Sequence, residues 1–266
     1  MDERSFFEGV ASYRLMAKKE VGQNFLIDPK VASAIVDALE IQPGERVVEI
    51  GCGPGSLTYF LAQSEGQIEA IDIDEAMILK TGQDFASCSN VEVKYGNAAK
   101  WDYAPYDKII GNLPYYITSS LVEHAILKGD HASKMVFMVQ KEAGERITAL
   151  PKTKDYSPLA ILIALTFSVT RIRVVCRNAF VPPPHVESAV YVFSRKEDIS
   201  LKEAEKVYHL ATTCFLQRRK TLYNNLKNLL PNEEACRNAI ASLNLPLTVR
   251  PEELSPDQYR QLAQLL

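Results

Sequence analysis

At 266 residues, 47% of them hydrophobic and 24% charged, the chain can bury one well-packed core and a smaller appendage. No apolar run approaches the roughly 18 to 20 residues of a membrane-spanning helix, and the N-terminus lacks the basic-then-apolar order of a secretory signal, so a cytoplasmic monomer without a membrane partner is expected. A net charge of −3 weighs against a nucleic-acid partner, and five scattered cysteines with no Cys-x-x-Cys pair weigh against zinc or other metal chemistry.

Residues 1–13 carry no readable signal. Asp28 can cap a helix with Pro29 at its first position, and Val31, Ile35, Val36 and Leu39 then share one apolar face suited to packing on a sheet. Residues 47–50 form a β-prone run that ends in a glycine-rich stretch, after which residues 57–62 read as helix. Further short apolar runs at 68–73, 91–93, 108–111 and 135–139 are separated by segments long enough for crossover helices. Alternating strands and helices predict an α/β fold with a mostly parallel sheet wound on both faces. The apolar stretch at 159–165 is short and preceded by charges. After the run at 190–193 the pattern turns helical, at 201–215 and 233–242, which places a domain boundary near Glu197 and divides the chain into residues 1–197 and a small all-helical domain, 198–266. From Arg171 to Lys227, eleven Lys and Arg face five Asp and Glu. This surplus permits an RNA partner, and it equally suits a solvated surface.

Gly51, Gly53 and Gly55 let the backbone turn sharply and approach a ligand closely. Dinucleotide enzymes, methyltransferases and plain tight turns all use such an element, and by itself it leaves the three readings equally open. Asp72 and Asp74 fall near the carboxyl end of the next strand, where open parallel sheets place ligand contacts. Asp72 is the better candidate to accept ribose hydroxyls, and Asp74 to cap the following helix. What separates the readings is Gly111-Asn112-Leu113-Pro114-Tyr115, directly after the 108–110 strand and so at the same sheet edge. This pattern resembles that of the amine methyltransferases.

The pattern suits the chemistry of an adenine amine, whose lone pair is delocalised into the ring. The side-chain oxygen of Asn112 and the main-chain carbonyl of Leu113 can accept its two N–H bonds and favour a pyramidal nitrogen. Pro114 fixes the turn, and Tyr115 can stack on the base. The rest of the rate comes from positioning, and the base must be unpaired or extruded to enter.

Six motifs carry a likeness across nearly the whole chain: GQNFL at 22–26, EIGCGPGSLT at 49–58, NLPYYIT at 112–118, QKEAGER at 140–146, FVPPPHVESAV at 180–190 and FLQRRKTLYNNL at 215–226. With them the chain resembles the ribosomal small-subunit RNA adenine dimethyltransferases, the dimethyladenosine transferase family associated with kasugamycin sensitivity. The resemblance implies a Rossmann-like class I methyltransferase domain using S-adenosyl-L-methionine, a helical C-terminal domain, and dimethylation of two adjacent adenosines near the 3′ end of 16S rRNA in the small ribosomal subunit or its precursor. It implies cofactor contacts at Asn24, Leu26, Gly51, Asp72, Asn97 and Asn112, and it sets Phe180 beside the target base, where a core aromatic is an equal alternative. Arg218, Arg219 and Lys220 match positions that present basic side chains to rRNA, with surface solubility as the other reading.

The sequence departs from the family pattern at Cys52, usually proline, at Asp72, usually glutamate, and at Asn97, usually aspartate. Asn97 keeps an acceptor oxygen for the cofactor's adenine amine without charge-assisted strength, which implies weaker cofactor binding. Gly144, usually alanine, is expected to be structurally minor. The erythromycin-resistance methyltransferases of large-subunit rRNA share the site. Leu113, where they carry isoleucine, and the 217–226 segment favour the small-subunit assignment over them. A non-catalytic ribosome-assembly factor on the same fold is the remaining alternative, disfavoured by the intact tetrapeptide.

Overall fold

The computed structural model describes residues 2–13, 23–227 and 229–266. The chain divides into two compact units, Met1–Gly144 with Val169–Arg195, and Glu145–Ser168 with Lys196–Leu266. A single division near Glu197 is therefore replaced by three crossings, because residues 145–168 leave the first unit and join the second.

Elements in chain order are α1 (Glu3–Ser12), β1 (Phe25–Leu26), α2 (Pro29–Asp37), β2 (Arg46–Ile50), α3 (Thr58–Leu61), β3 (Gln67–Asp72), α4 (Glu75–Asp84), β4 (Val91–Tyr95), β5 (Lys108–Asn112), α5 (Thr118–Lys128) and β6 (Lys134–Gln140). They continue through α6 (Lys141–Ile147), α7 (Pro158–Thr166), β7 (Phe167–Val175), β8 (Phe180–Val181) and β9 (Ser188–Arg195). The helices α8 (Leu201–Phe215), α9 (Leu222–Leu226), α10 (Glu233–Ser242) and α11 (Pro256–Gln264) follow.

Seven strands form one sheet in the order β4-β3-β2-β5-β6-β9-β7. The first five of these pair in parallel, and β9 runs antiparallel to β6. The mostly parallel α/β sheet read from the sequence is thus present. Strand order reverses between β2 and β5, so the chain leaves their carboxyl ends in opposite directions and opens a crevice there. Val47, Val48 and Ile50 of β2 are all buried, as a central parallel strand requires. On α2, Asp28 accepts from the Lys30 and Val31 N–H groups at 3.0 and 3.2 Å, and the buried Val31, Ile35 and Val36 share the apolar face. Helix α1 buries Phe6, Phe7 and Val10, with the Phe6 and Tyr59 rings stacked at 4.8 Å.

Gly144 is not a minor departure. A Cβ there would stand 2.1 Å from Cε2 and 2.4 Å from Cζ of Tyr191, a buried ring on β9. The phenol occupies the volume that alanine would need. We expect Gly144→Ala to cost about 1–3 kcal/mol by overpacking and to lower Tm by several degrees, with Tyr191→Val restoring it in the double variant. Indistinguishable calorimetric melting of Gly144→Ala and the parent chain would show that the ring yields freely.

In the second unit, α7 has the sequence PLAILIALT, with seven of its nine residues buried. A helix apolar on all sides must be enclosed, and Ala160, Ile161 and Leu165 share a core with Val207, Leu210 and Ala211 of α8. The apolar stretch at 159–165 is this nine-residue helix. Among the described residues no helix is long and apolar enough to cross a membrane.

Candidate active site

A 330 Å³ cavity lies at the carboxyl ends of four adjacent strands. Its wall runs from Gly96, Asn97 and Ala98 after β4, through Ile71, Asp72 and Ile73 of β3, to Ile50 and Gly51 of β2 and then to residues 112–117 after β5. At a strand spacing of about 4.8 Å it spans roughly 14 Å.

The glycine-rich turn has φ of +68° at Gly51, +52° at Gly53 and +91° at Gly55. The Gly51 and Cys52 N–H groups both donate to the Ile71 carbonyl, at 2.8 and 3.0 Å, and Gly55 N–H donates to Cys52 O at 2.9 Å. Gly53 N–H donates to Asp72 Oδ2 at 2.9 Å. A pyrophosphate-binding loop needs such groups aimed at the ligand. Here four are already spent within the protein, and a buried carboxylate stands beside them. That arrangement suits a nucleoside without a phosphate.

Asp72 also accepts from Asp74 N–H at 2.9 Å through Oδ1. Burial pushes its carboxyl above the usual range, while the N–H donors of Asp74 and Gly53 pull it back. Asp74 caps α4 by accepting from Ala76 N–H at 3.1 Å, and its other oxygen accepts from Gln23 Nε2 at 3.1 Å. Asn97 borders the cavity, exposed, with Oδ1 accepting from Ala99 N–H at 3.0 Å. The side-chain oxygen of Asn97 therefore caps the short turn after β4 at the rim of the cavity.

Glu49, one residue before the end of β2, is 1% exposed and accepts a 2.5 Å hydrogen bond from the Thr58 hydroxyl. Burial pushes its carboxyl up to about 8, the Asp72 charge adds to the rise, and the Thr58 hydroxyl opposes it.

Asn112 closes the other end of the cavity. Its Nδ2 donates to the Asn24 carbonyl at 3.2 Å. A carbonyl can only receive a donor, so this bond fixes the amide and leaves Oδ1 as an acceptor. Leu113 is buried, and its N–H donates to Met138 O at 2.9 Å. The Tyr115 hydroxyl meets Ser188 Oγ at 2.8 Å, and burial raises its phenol pKa. Among the described lining residues Asp72 is the one carboxylate, two strands from Asn112 and about 10 Å away by strand spacing. No histidine lines the cavity among the described residues.

Asn24, Gly51, Asp72, Asn97, Asn112, Leu113, Pro114 and Tyr115 therefore come together at one cavity. Other residues named from the sequence do not reach it. Leu26 is buried beneath, where its carbonyl accepts from the Ser56 hydroxyl at 2.7 Å. The open side of Gly53 faces the Phe25 ring, and that of Gly55 faces Phe85, Thr81 and Phe6, so these two glycines shape the turn without lining the cavity. Phe180 is 2% exposed within the core, because β8 pairs it with Leu26 and turns it inward. In the second unit, Arg218 is committed to a clamp: it donates to Glu252 Oε2 at 2.9 Å and to the carbonyls of Lys154 and Thr153 at 2.8 and 3.0 Å. Arg219 and Lys220 are exposed. Gly22 of the first motif lies outside the described residues. Gln23, Ile73, Ala98 and Tyr116 line the cavity without having been named individually, and the signal for Gln23 and Tyr116 was their place inside the GQNFL and NLPYYIT motifs. Among the described residues no group of three or more His, Cys, Asp or Glu can hold a metal ion.

The model of the ribosomal RNA adenine dimethylase family matches residues 14–266. The chain is 38% identical over 277 residues to the ribosomal RNA small subunit methyltransferase A of Lactobacillus johnsonii, covering 97% of this chain and 93% of that one. It is 33% identical over 266 residues to its namesake in Malacoplasma penetrans, covering 98% and 96%. Among solved structures, a dimethyladenosine transferase from Plasmodium falciparum superposes with a TM-score of 0.80 at 29% identity, over 90% of this chain and 95% of that one. A 23S rRNA methyltransferase, ErmE, shares the fold with a TM-score of 0.70 at 24% identity, over 91% and 99%. An Asn-Leu-Pro-Tyr turn facing a buried aspartate across the switch point, and a family match over all but the first 13 residues, make the same assignment: the chain belongs to the ribosomal RNA adenine dimethylase family.

Proposed function

We propose that the protein transfers methyl groups from S-adenosyl-L-methionine to the exocyclic N6 of adenosines in small-subunit rRNA, dimethylating two adjacent adenosines near the 3′ end of 16S rRNA during subunit biogenesis. The observation that carries this reading is the orientation of Asn112. One N–H of its amide is given to the Asn24 carbonyl, which orients the group and makes its oxygen the acceptor of this side chain.

The cavity fits the cofactor. Asp72 supplies a carboxylate for the ribose hydroxyls, Asn97 an acceptor at the β4 side, and Gly51 a surface without a Cβ. When bound, S-adenosyl-L-methionine supplies an electrophilic methyl carbon on a cationic sulfur. Asn112 Oδ1 and the Leu113 carbonyl accept from the two N–H bonds of the target amine and localise its lone pair. Tyr115 holds the base by stacking, with its hydroxyl anchored on Ser188. No carboxylate or histidine near Asn112 is needed, since the amine's proton can leave to solvent once the nitrogen is alkylated. Catalysis rests on positioning. The family membership supports the rRNA substrate, and the names of the two relatives support the small subunit. Likeness to the 23S enzyme extends to the fold alone. Labelled-methyl transfer to immature 30S particles, with nucleoside mapping by mass spectrometry, tests the reading. Absence of N6-methylated adenosine would defeat it.

Arg219 and Lys220 serve as phosphate contacts in this reading, whereas Arg218 holds its unit together. We expect neutralising Arg219 and Lys220 together to reduce the slope of log affinity against log salt by about 1–2 with Tm unchanged. Arg218→Gln should instead lower Tm. Filter binding over a KCl series reads the slope and calorimetric melting the Tm values, and an unaltered slope in the double variant removes these two side chains from the RNA footprint.

A further inference from the structure

Tyr115 and Tyr116 are consecutive and both border the cavity, but their side chains are engaged differently. Tyr115 is half-buried and bonded to Ser188. Tyr116 is 64% exposed, and among the described residues its hydroxyl has no hydrogen-bond partner and its ring no aromatic or cationic neighbour. The turn beneath it is fixed: Ile117 N–H and the Thr118 hydroxyl donate to Pro114 O at 3.3 and 3.1 Å, and Leu113 N–H to Met138 O at 2.9 Å. Single exposed aromatics are ordinary on surfaces. This one is bare, held on a rigid turn, and sits beside a cavity wide enough for a base.

Resting on the reading that the cavity takes an adenine from an RNA strand, we propose that Tyr116 stacks on the nucleobase adjoining the target. Extruding a base leaves its neighbour with one uncovered face, and that lost stacking is part of the cost of extrusion. A phenol at the rim, one residue beyond the ring that meets the target, covers the face. Every base presents a π surface, so the contact tolerates base identity and governs capture of the strand more than the transfer step.

Tyr116→Ala is expected to raise KM for immature 30S particles about 10-fold, within the range of a single lost base stack, with kcat and the Kd for S-adenosylhomocysteine unchanged. Tyr116→Phe and Tyr116→Trp should keep the parent KM. An RNA hairpin carrying 2-aminopurine beside the target adenosine reads the stack directly, its fluorescence quenched by the parent protein and by Tyr116→Phe but not by Tyr116→Ala. Parent-like KM and quenching in Tyr116→Ala overturn the proposal. So does a weakened Kd for S-adenosylhomocysteine, which would set the ring against the cofactor. A parent protein that methylates no RNA adenine brings down the functional reading and the stacking role together, whereas an active parent with an unaffected Tyr116→Ala brings down the stacking role alone.

Discussion

Asn112→Ala is expected to lower kcat for methyl transfer by about 10²- to 10³-fold, the cost of removing one preorganised polar partner from a developing charge, or about 3–4 kcal/mol. The amide oxygen is oriented before any substrate arrives, because Nδ2 is held by the Asn24 carbonyl. Alanine removes that acceptor and leaves the amine's lone pair in the ring. The fold should bear the change, since the loss of one partly exposed hydrogen bond costs about 1 kcal/mol. Asn112→Asp separates the two functions of the side chain: it keeps an acceptor but turns a carboxylate oxygen toward the Asn24 carbonyl, and it should keep part of the activity. Single-turnover transfer rates with calorimetric cofactor titrations check this. A kcat for Asn112→Ala within tenfold of the parent would mean that localising the lone pair is not the function of this residue.

Glu49→Gln is expected to stabilise the protein above neutral pH and to leave it unaltered near pH 4.5. The Glu49 carboxyl is pushed up to about 8 by burial, the Asp72 charge adding to the effect, against 4.5 in an unfolded chain. Below the unfolded value it is protonated in both states, and the fold bears no ionic penalty. Between the two values the unfolded chain ionises while the folded one keeps its proton. Each pH unit then removes about 1.4 kcal/mol of stability, on the order of 5 kcal/mol across the window, and above about 8 the loss stops. Glutamine keeps an oxygen for the Thr58 hydroxyl and has no proton to lose. Urea titrations of both chains from pH 5 to 8.5 read the difference; parallel pH profiles would falsify a neutral Glu49.

Much of the sheet was readable because β2, β3, β5 and β6 are short apolar runs bounded by glycine or charge, and parallel central strands carry no alternation to confuse. Strand β7 was hidden because α7 passes into it at Thr166 and Phe167 without a glycine, proline or asparagine between them. The all-apolar α7 has no helical period, so neither its type nor its unit could be read locally. At the site, Asp72 and Asn112 were legible from spacing, since each sits where a strand releases the chain toward one shared edge. Arg218 looks like Arg219 in sequence, and what separates them is Glu252, 34 residues further on. The meaning of Gly144 likewise depends on the distant Tyr191 ring. Long-range partners decide such cases, and composition near the residue is silent about them.

The insertion of residues 145–168 into the helical unit also governs how the protein can be taken apart. A truncation after Arg195 would keep α7 while deleting α8, and the buried Ala160, Ile161 and Leu165 would lose the core they share with Val207, Leu210 and Ala211. Such a fragment invites self-association and precipitation. Isolating the first unit requires excising residues 145–168 and joining Gly144 to Val169, so shuffling this unit between homologues takes three junctions where a tail-fused module would take one.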